Sequence, residues 1–145
     1  MNYLRYTAVF LVVAVGTAIA VTVLRASLGT TLGSSAQVIV PSMIAALMEG
    51  RAFARTEKRR PSQREAWVFT GNASLLAVAL NLILAYAASA VLPEFAKIAA
   101  APVFSMAFVV LLLIYAAGYV ICNRFFVGLG ASNELSAMHR RGELD

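Results

Sequence analysis

Charge is what this sequence has least of. Only 13% of its 145 residues are Asp, Glu, Lys or Arg, while 61% are hydrophobic and the mean hydropathy is +0.79. An ordinary soluble domain carries about 25% charged residues. A soluble fold this short leaves too much of its surface in water to hide so much apolar material, which excludes a soluble enzyme, a disordered tail and a disulfide scaffold. The single cysteine, Cys122, has no partner for an internal bridge, and with the single histidine, His139, it makes no group at metal-ligand spacing. A glycine-rich phosphate loop, a nucleophile elbow, paired catalytic carboxylates and a zinc pattern are also missing. The expectation is a protein that is not an enzyme and takes no cofactor.

Long apolar runs are what the sequence does have. Residues 7–24, 66–92 and 98–123 are uninterrupted stretches of 18, 27 and 26 uncharged residues. A bilayer core about 30 Å thick is crossed by roughly 20 helical residues, so all three suffice. A fourth segment is weaker, because the strongly apolar part of residues 26–48 is confined to 36–48 and contains Gln37, Pro41 and Ser42. A re-entrant or buried helix competes with a span there. Extending the segment over 34–55 places Glu49, Arg51 and Arg55 at its wet end, where long arginines can snorkel, and Pro41 in the first two turns, where a missing N–H costs least. The expectation is therefore an all-α integral membrane bundle of four transmembrane helices in up-and-down order, with short connections making antiparallel neighbours. The spans are about 6–24, 34–55, 66–92 and 98–123, giving one domain over 1–127 and a short polar cytoplasmic tail over 128–145. That tail reads as a frayed helix that Ser132 or Asn133 could cap. Segment 1 also fits a cleaved signal peptide, with Arg5 as its basic start and Ala18-Ile19-Ala20 as a cleavage pattern. Its apolar run continues unbroken through Leu24, which favours a retained helix.

Basic residues near helix ends set orientation. Four spans put the amino end, the 56–65 loop and the carboxyl tail on one side, with Arg5, Arg51, Arg55, Lys58, Arg59, Arg60, Arg64, Arg124, Arg140 and Arg141. The other side has Arg25 and Lys97. Ten against two predicts cytoplasmic termini and short outer loops over 25–33 and 93–101. The net charge of +5 then follows from topology, and no nucleic-acid partner is needed.

The most informative stretch is the hairpin between segments 2 and 3, over 48–67. Ser62 and Glu65 stand three apart at the start of the third helix, which predicts a capping box. Trp67 follows at the depth where indole rings favour the interface. Most of the basic residues are what a cytoplasmic loop requires. A sharper reading makes Arg59, Arg60 and Arg64 a docking surface for anionic lipid or an acidic partner. In Glu49-Gly50-x-x-Phe53 followed by Arg60-Pro61-Ser62-x-x-Glu65-x-Trp67, the hairpin resembles a family of small four-span bacterial membrane proteins catalogued as the ABZJ type. The chain has Arg59 where many members have glycine, and one residue fewer between arginine and proline. The resemblance implies a bacterial inner-membrane setting and a multi-pass fold, but no activity.

Ionisable residues inside spans usually mark function. Glu49 comes nearest. Its neighbours Arg51 and Arg55 lie two and six residues away, off the i,i+3 and i,i+4 spacings, so it could instead face another helix. It reads either as a boundary residue near cytoplasmic water or as a proton-coupled carboxylate. Asn81 sits near the middle of the third span in a stripe with Ser74, Ala77, Ala85 and Ala88, and Gly16 with Ala20 forms a small pair on the first helix. Close helix packing accounts for both. Tyr115, Tyr119 and Asn123 share a face of the fourth helix, where they could line a wet crevice or bond across the bundle. His139 reads as solvated and Cys122 as a packed thiol. The candidate residues are therefore Glu49, Arg51, Arg59, Arg60, Arg64 and Asn81. The expected partners are the bilayer, anionic lipid at the cytoplasmic loop, and copies of the chain or a larger membrane complex. The function expected is that of a non-catalytic accessory or self-associating protein, with a small transporter or channel subunit as the alternative.

Overall fold

The computed structural model describes residues 1–28, 35–88 and 105–143. These form four helices: α1 (Tyr3–Leu28), α2 (Ser35–Glu57), α3 (Gln63–Ala88) and α4 (Met106–Arg140). By length and composition, α1, α3 and α4 could each cross a membrane. The outer loop expected over 93–101, with Lys97, and residues 29–33 of the other outer loop lie outside the described residues. α2 runs unbroken through Pro41; being in its second turn, the proline forfeits little of the hydrogen-bond ladder.

The helix ends follow local chemistry. The capping box forms as expected: Ser62 N–H donates to Glu65 Oε2 at 2.7 Å and Glu65 N–H to Ser62 Oγ at 3.3 Å. Ser105 caps α4, accepting the Phe108 N–H at 3.1 Å. The far end of α4 corrects the sequence reading. Residues 128–140 are not a separate frayed tail with its own cap but the continuation of one 35-residue helix. At about 1.5 Å per residue such a helix is some 52 Å long, well beyond a hydrocarbon core of about 30 Å. It stays intact because Gly130, Ala131, Glu134 and Met138 are buried against its neighbours. It stops at Gly142, whose φ of 69° lets the Gly142 N–H reach the His139 carbonyl and the Glu143 N–H the Met138 carbonyl. That is the left-handed exit glycine allows.

The core is unusual in what fills it. Tyr6, Phe10, Ala14 and Ala18 recur every four residues along α1 and are buried. Ala45, Ala46 and Ala54 are buried on α2, and Ala66, Phe69, Ala73, Ala77 and Ala85 on α3. Among the described residues no leucine or isoleucine is buried, while Leu4, Val12, Ile19, Leu75, Ile83, Leu113, Ile114, Ile121 and Phe125 point outward. Soluble proteins sort these residue types the other way.

Helix order corrects the expected neighbours. The closest pair is α2 with α4; α1 packs on α2, α3 packs on α4, and α2 scarcely touches α3. The Val38 carbonyl meets Tyr119, the Leu47 carbonyl meets Gly130, and Arg55 meets Glu134. Numbers rise together on both helices, so they run parallel. α3 is antiparallel to α4, since Asn81 meets Tyr119 and Ser74 meets Asn123. The cause is a reciprocal glycine contact. A Cβ on Gly50 would lie 2.1 Å from the Val127 carbonyl oxygen, and one on Gly130 would lie 2.1 Å from the Leu47 carbonyl oxygen. Backbones this close need small residues on both sides, which Ala46, Gly50 and Ala54 on α2 and Gly130 and Ala131 on α4 supply.

Gly50→Ala and Gly130→Ala should therefore each destabilise the protein by about 1–3 kcal/mol, as overpacking does, although alanine is the better helix former by about 1 kcal/mol. Gly16→Ala and Gly71→Ala, where an added Cβ meets nothing within 4 Å, should leave stability unchanged or raise it. Thermal unfolding in mild detergent reads both pairs. Equal effects would remove the crossing from the account.

Candidate functional site

The charges gather at one end of the bundle. The start of α1, the end of α2, the hairpin, the start of α3 and the end of α4 all meet there. Its centre is Glu49, 1% exposed on the inner face of α2. Its partner is neither of the residues the sequence offered. Arg5 of α1 donates through Nε to Oε2 at 2.8 Å and through Nη2 to Oε1 at 2.9 Å, and the Asn2 N–H also donates to Oε1. Arg51 is exposed, and Arg55 turns instead to Glu134 of α4, Nε to Oε1 at 2.7 Å. Sequence spacing could find only partners within α2, whereas Arg5 is 44 positions away.

Glu134 is a second buried acid, 5% exposed, absent from the sequence-derived candidates. It accepts from Arg55 and also faces Arg141 at 3.3 Å. Arg141 reaches on to Glu143 at 2.5 Å, and its guanidinium holds the Glu143 carboxyl below the usual carboxylate range. The fourth-helix repeat of Gly130, Glu134 and Met138 was the available signal, since a lone acid on a buried stripe calls for a cation from a neighbour.

The structure separates the three proposed docking arginines. Arg59 is engaged internally: it holds both oxygens of Glu65 at 2.8 Å, lies 3.5 Å from Glu57 and sits over the Phe53 ring at 5.1 Å. Arg64 lines a shallow depression of about 280 Å³ with Met1, Tyr3, Phe53, Val68 and Phe69. Arg60 lines a different cleft, of about 540 Å³, with Leu135, Ser136, His139 and Arg140. Arg124 is held by Gln63 and lies over the Trp67 ring at 5.5 Å. Among the described residues every acidic side chain is ion-paired, while Arg51, Lys58, Arg60, Arg64 and Arg140 make no ion pair.

Above this end the interior polar groups bond to one another. Tyr6 Oη donates to Asn123 Oδ1 at 3.0 Å, and Asn123 Nδ2 donates to Ser74 Oγ at 3.1 Å, joining α1, α4 and α3. Asn81 Nδ2 donates to Tyr119 Oη and to the Ala77 carbonyl, and Tyr119 Oη donates to the Val38 carbonyl of α2 at 3.1 Å. Of the two uses open to the α4 face, Tyr119 and Asn123 thus bond across the bundle. The buried hydroxyl of Thr70, one turn before Ser74, has no partner in the structure. Among the described residues no group of His, Cys, Asp and Glu could hold a metal ion.

No family model matches the chain, and no curated protein or solved structure is similar to it. The site is thus read from its own geometry. Its acids fasten one element to the next, and apart from the Thr70 hydroxyl its interior amides and hydroxyls bond to neighbours, which leaves unpaired cations on the outside of the charged end.

Arg5→Ala should cost about 2–4 kcal/mol by stranding the buried Glu49 carboxylate, somewhat less than for a fully buried pair because Arg5 is 44% exposed. Arg5→Met with Glu49→Met should recover most of that loss. Detergent unfolding of the singles and the double gives the coupling, and a strictly additive result would mean the pair does not fasten α1 to α2. Tyr6→Phe, which removes one interhelical bond, should cost only about 0.6 kcal/mol. A loss several times larger would make the polar ladder, and not the helix crossing, the main fastening.

Proposed function

We propose that the chain is an integral membrane protein of four retained spans, with its amino terminus, hairpin and carboxyl end on the cytoplasmic side of a bacterial inner membrane. It works without catalysis, as an accessory or self-associating protein that packs against copies of itself or against the helices of a larger membrane complex. The observation that carries this reading is the inverted packing: alanine and glycine inside, leucine and isoleucine outside. Hydrocarbon is the medium that tolerates such a surface. α2 joins as the fourth span because its 23 residues cover about 34 Å and its less apolar face is turned onto α1 and α4. The retention of α1 is supported by Arg5, Tyr6 and Phe10, whose side chains belong to the bundle's own contacts. Orientation follows from the ten basic residues at the charged end. The hairpin's resemblance to the ABZJ type agrees with this setting. A transporter would call for an ionisable group facing an internal path, whereas Glu49 is held by Arg5.

The test is purification of the full chain in mild detergent, with light scattering for oligomeric state and mass spectrometry for partners. A homo-oligomer, or a membrane subunit retained at fixed ratio, is expected. A monodisperse monomer without partner overturns the reading. Reporters fused after Pro61 and after Glu143 should report the cytoplasm, and an external Pro61 overturns the orientation.

A further inference from the structure

Ion pairing does not use up the charge at this end of the bundle, and what is left over is not spread evenly. Arg60, from the turn after α2, and Arg140, from the last turn of α4, are both exposed, make no ion pair among the described residues, and line one open cleft of about 540 Å³ together with Ser136 and His139. Two arginines, a serine and a histidine lining one open space supply the donor types that bind a phosphate. No acidic side chain lines the cleft.

The same face of α4 indicates which kind of phosphate. Ile114, Ile121, Phe125 and Leu129 are exposed apolar residues, and Ser136 and Arg140 continue their stripe at steps of seven and four. The surface therefore changes from acyl-compatible to phosphate-compatible along one line. Leu129 and Ser136 are about 10 Å apart along the axis at 1.5 Å per residue, a little more than the roughly 5–8 Å headgroup layer on each side of the hydrocarbon, a difference that the long Arg60 and Arg140 side chains can span. A free anion would use only the lower part of that surface, whereas a phospholipid would use all of it.

We propose that this cleft binds the headgroup phosphate of an anionic phospholipid of the inner leaflet, with the acyl chains lying along Phe125 and Leu129. The proposal rests on the orientation proposed above. It also divides the hairpin's basic residues by role, since Arg59 fastens the turn to Glu65 while Arg60 contacts lipid.

Native mass spectrometry of the full chain, with phosphatidylglycerol or phosphatidylcholine added to the detergent micelle, tests it. The wild-type protein should retain phosphatidylglycerol in preference to phosphatidylcholine. Arg60→Ala with Arg140→Ala should weaken phosphatidylglycerol retention about tenfold or more, given roughly 1 kcal/mol for each basic residue near the surface. Arg51→Ala with Lys58→Ala, which removes the same charge elsewhere on this end, should weaken it less than about threefold, because neither residue lines the cleft and only diffuse attraction is lost. Arg60→Lys with Arg140→Lys should restore part of the preference, so a general loss of fold is told apart from loss of the site. Equal losses in the two alanine doubles would mean diffuse attraction and would sink the proposal. So would displacement of the lipid by millimolar inorganic phosphate, which would mark a free-anion site. Binding in micelles does not depend on orientation in the cell, so a misplaced reporter would overturn the topology without being mistaken for a failure of the cleft.

Discussion

The arrangement depends on two helix backbones that touch. Where Gly50 meets the Val127 carbonyl and Gly130 meets the Leu47 carbonyl, nothing larger than hydrogen fits. This contact fixes which helices are neighbours. It brings α2 and α4 together in parallel even though each is joined in sequence to α3, so α1 packs on α2 and α3 on α4, and α1 and α3 meet each other where Tyr3 and Tyr6 face Phe69. It also sets the register of everything nearby. With Gly50 opposite Val127, the next turns put Arg55 beside Glu134, and one turn back leaves Ala46 free to pack. Interhelical hydrogen bonds in such bundles average about 0.6 kcal/mol, whereas forcing a methyl into a close backbone contact costs about 1–3 kcal/mol. The crossing therefore decides the arrangement, and the Tyr6–Asn123–Ser74 and Asn81–Tyr119 bonds follow because unsatisfied amides in a dry interior are costly.

The contact explains the inverted packing as well. A glycine and alanine seam lets helices approach until dispersion between backbones takes over, and it leaves no room between them for leucine. The large aliphatic residues must then face outward. In water that exposed surface would drive aggregation; in hydrocarbon it carries no penalty. α2 fits the same rule: as the central helix it has little outward surface to keep apolar, and it carries Pro41, the buried hydroxyl of Ser42 and the buried acid Glu49.

Much of this was legible in the sequence, though unevenly. Uncharged runs gave α1, α3 and most of α4, because length and composition are local properties. Ser62 and Glu65 gave the capping box for the same reason. The length of α4 was missed because residues 128–143 are polar enough to suggest a tail, and their helicity is maintained by Gly130, Ala131 and Glu134 against α2, which is a tertiary fact. Small-residue stripes stand out in sequence at Gly16 and Ala20 and on α3, whereas Ala46, Gly50 and Ala54 are interleaved with the charges of Glu49 and Arg51. The Glu49 partner was out of reach: helical spacing ranks residues of one helix, and Arg5 belongs to another. Asn81 reads from its stripe as a polar residue near mid-span, but nothing in that stripe names Tyr119.

The division of labour among the charged residues follows from where acids can be tolerated. Four of the five described acids bridge different junctions: Glu49 links α2 to α1, Glu134 links α4 to α2, Glu65 links α3 to the turn before it, and Glu143 holds the last turn of α4 through Arg141, while Glu57 pairs with Arg59 close by. The exposed pairs, Glu65 with Arg59 and Glu143 with Arg141, contribute at most about 1 kcal/mol each, so their effect is to position elements. An end that carries ten basic residues needs only a few of them for positioning. Those left unpaired, on the turn after α2 and on the last turn of α4, are held by elements the acids have already fixed in place. A cation presented on a fixed element loses less conformational entropy on meeting an anion than one on a free tail, and for that reason the ordered end of α4, rather than the basic composition of the loop, makes the surface selective.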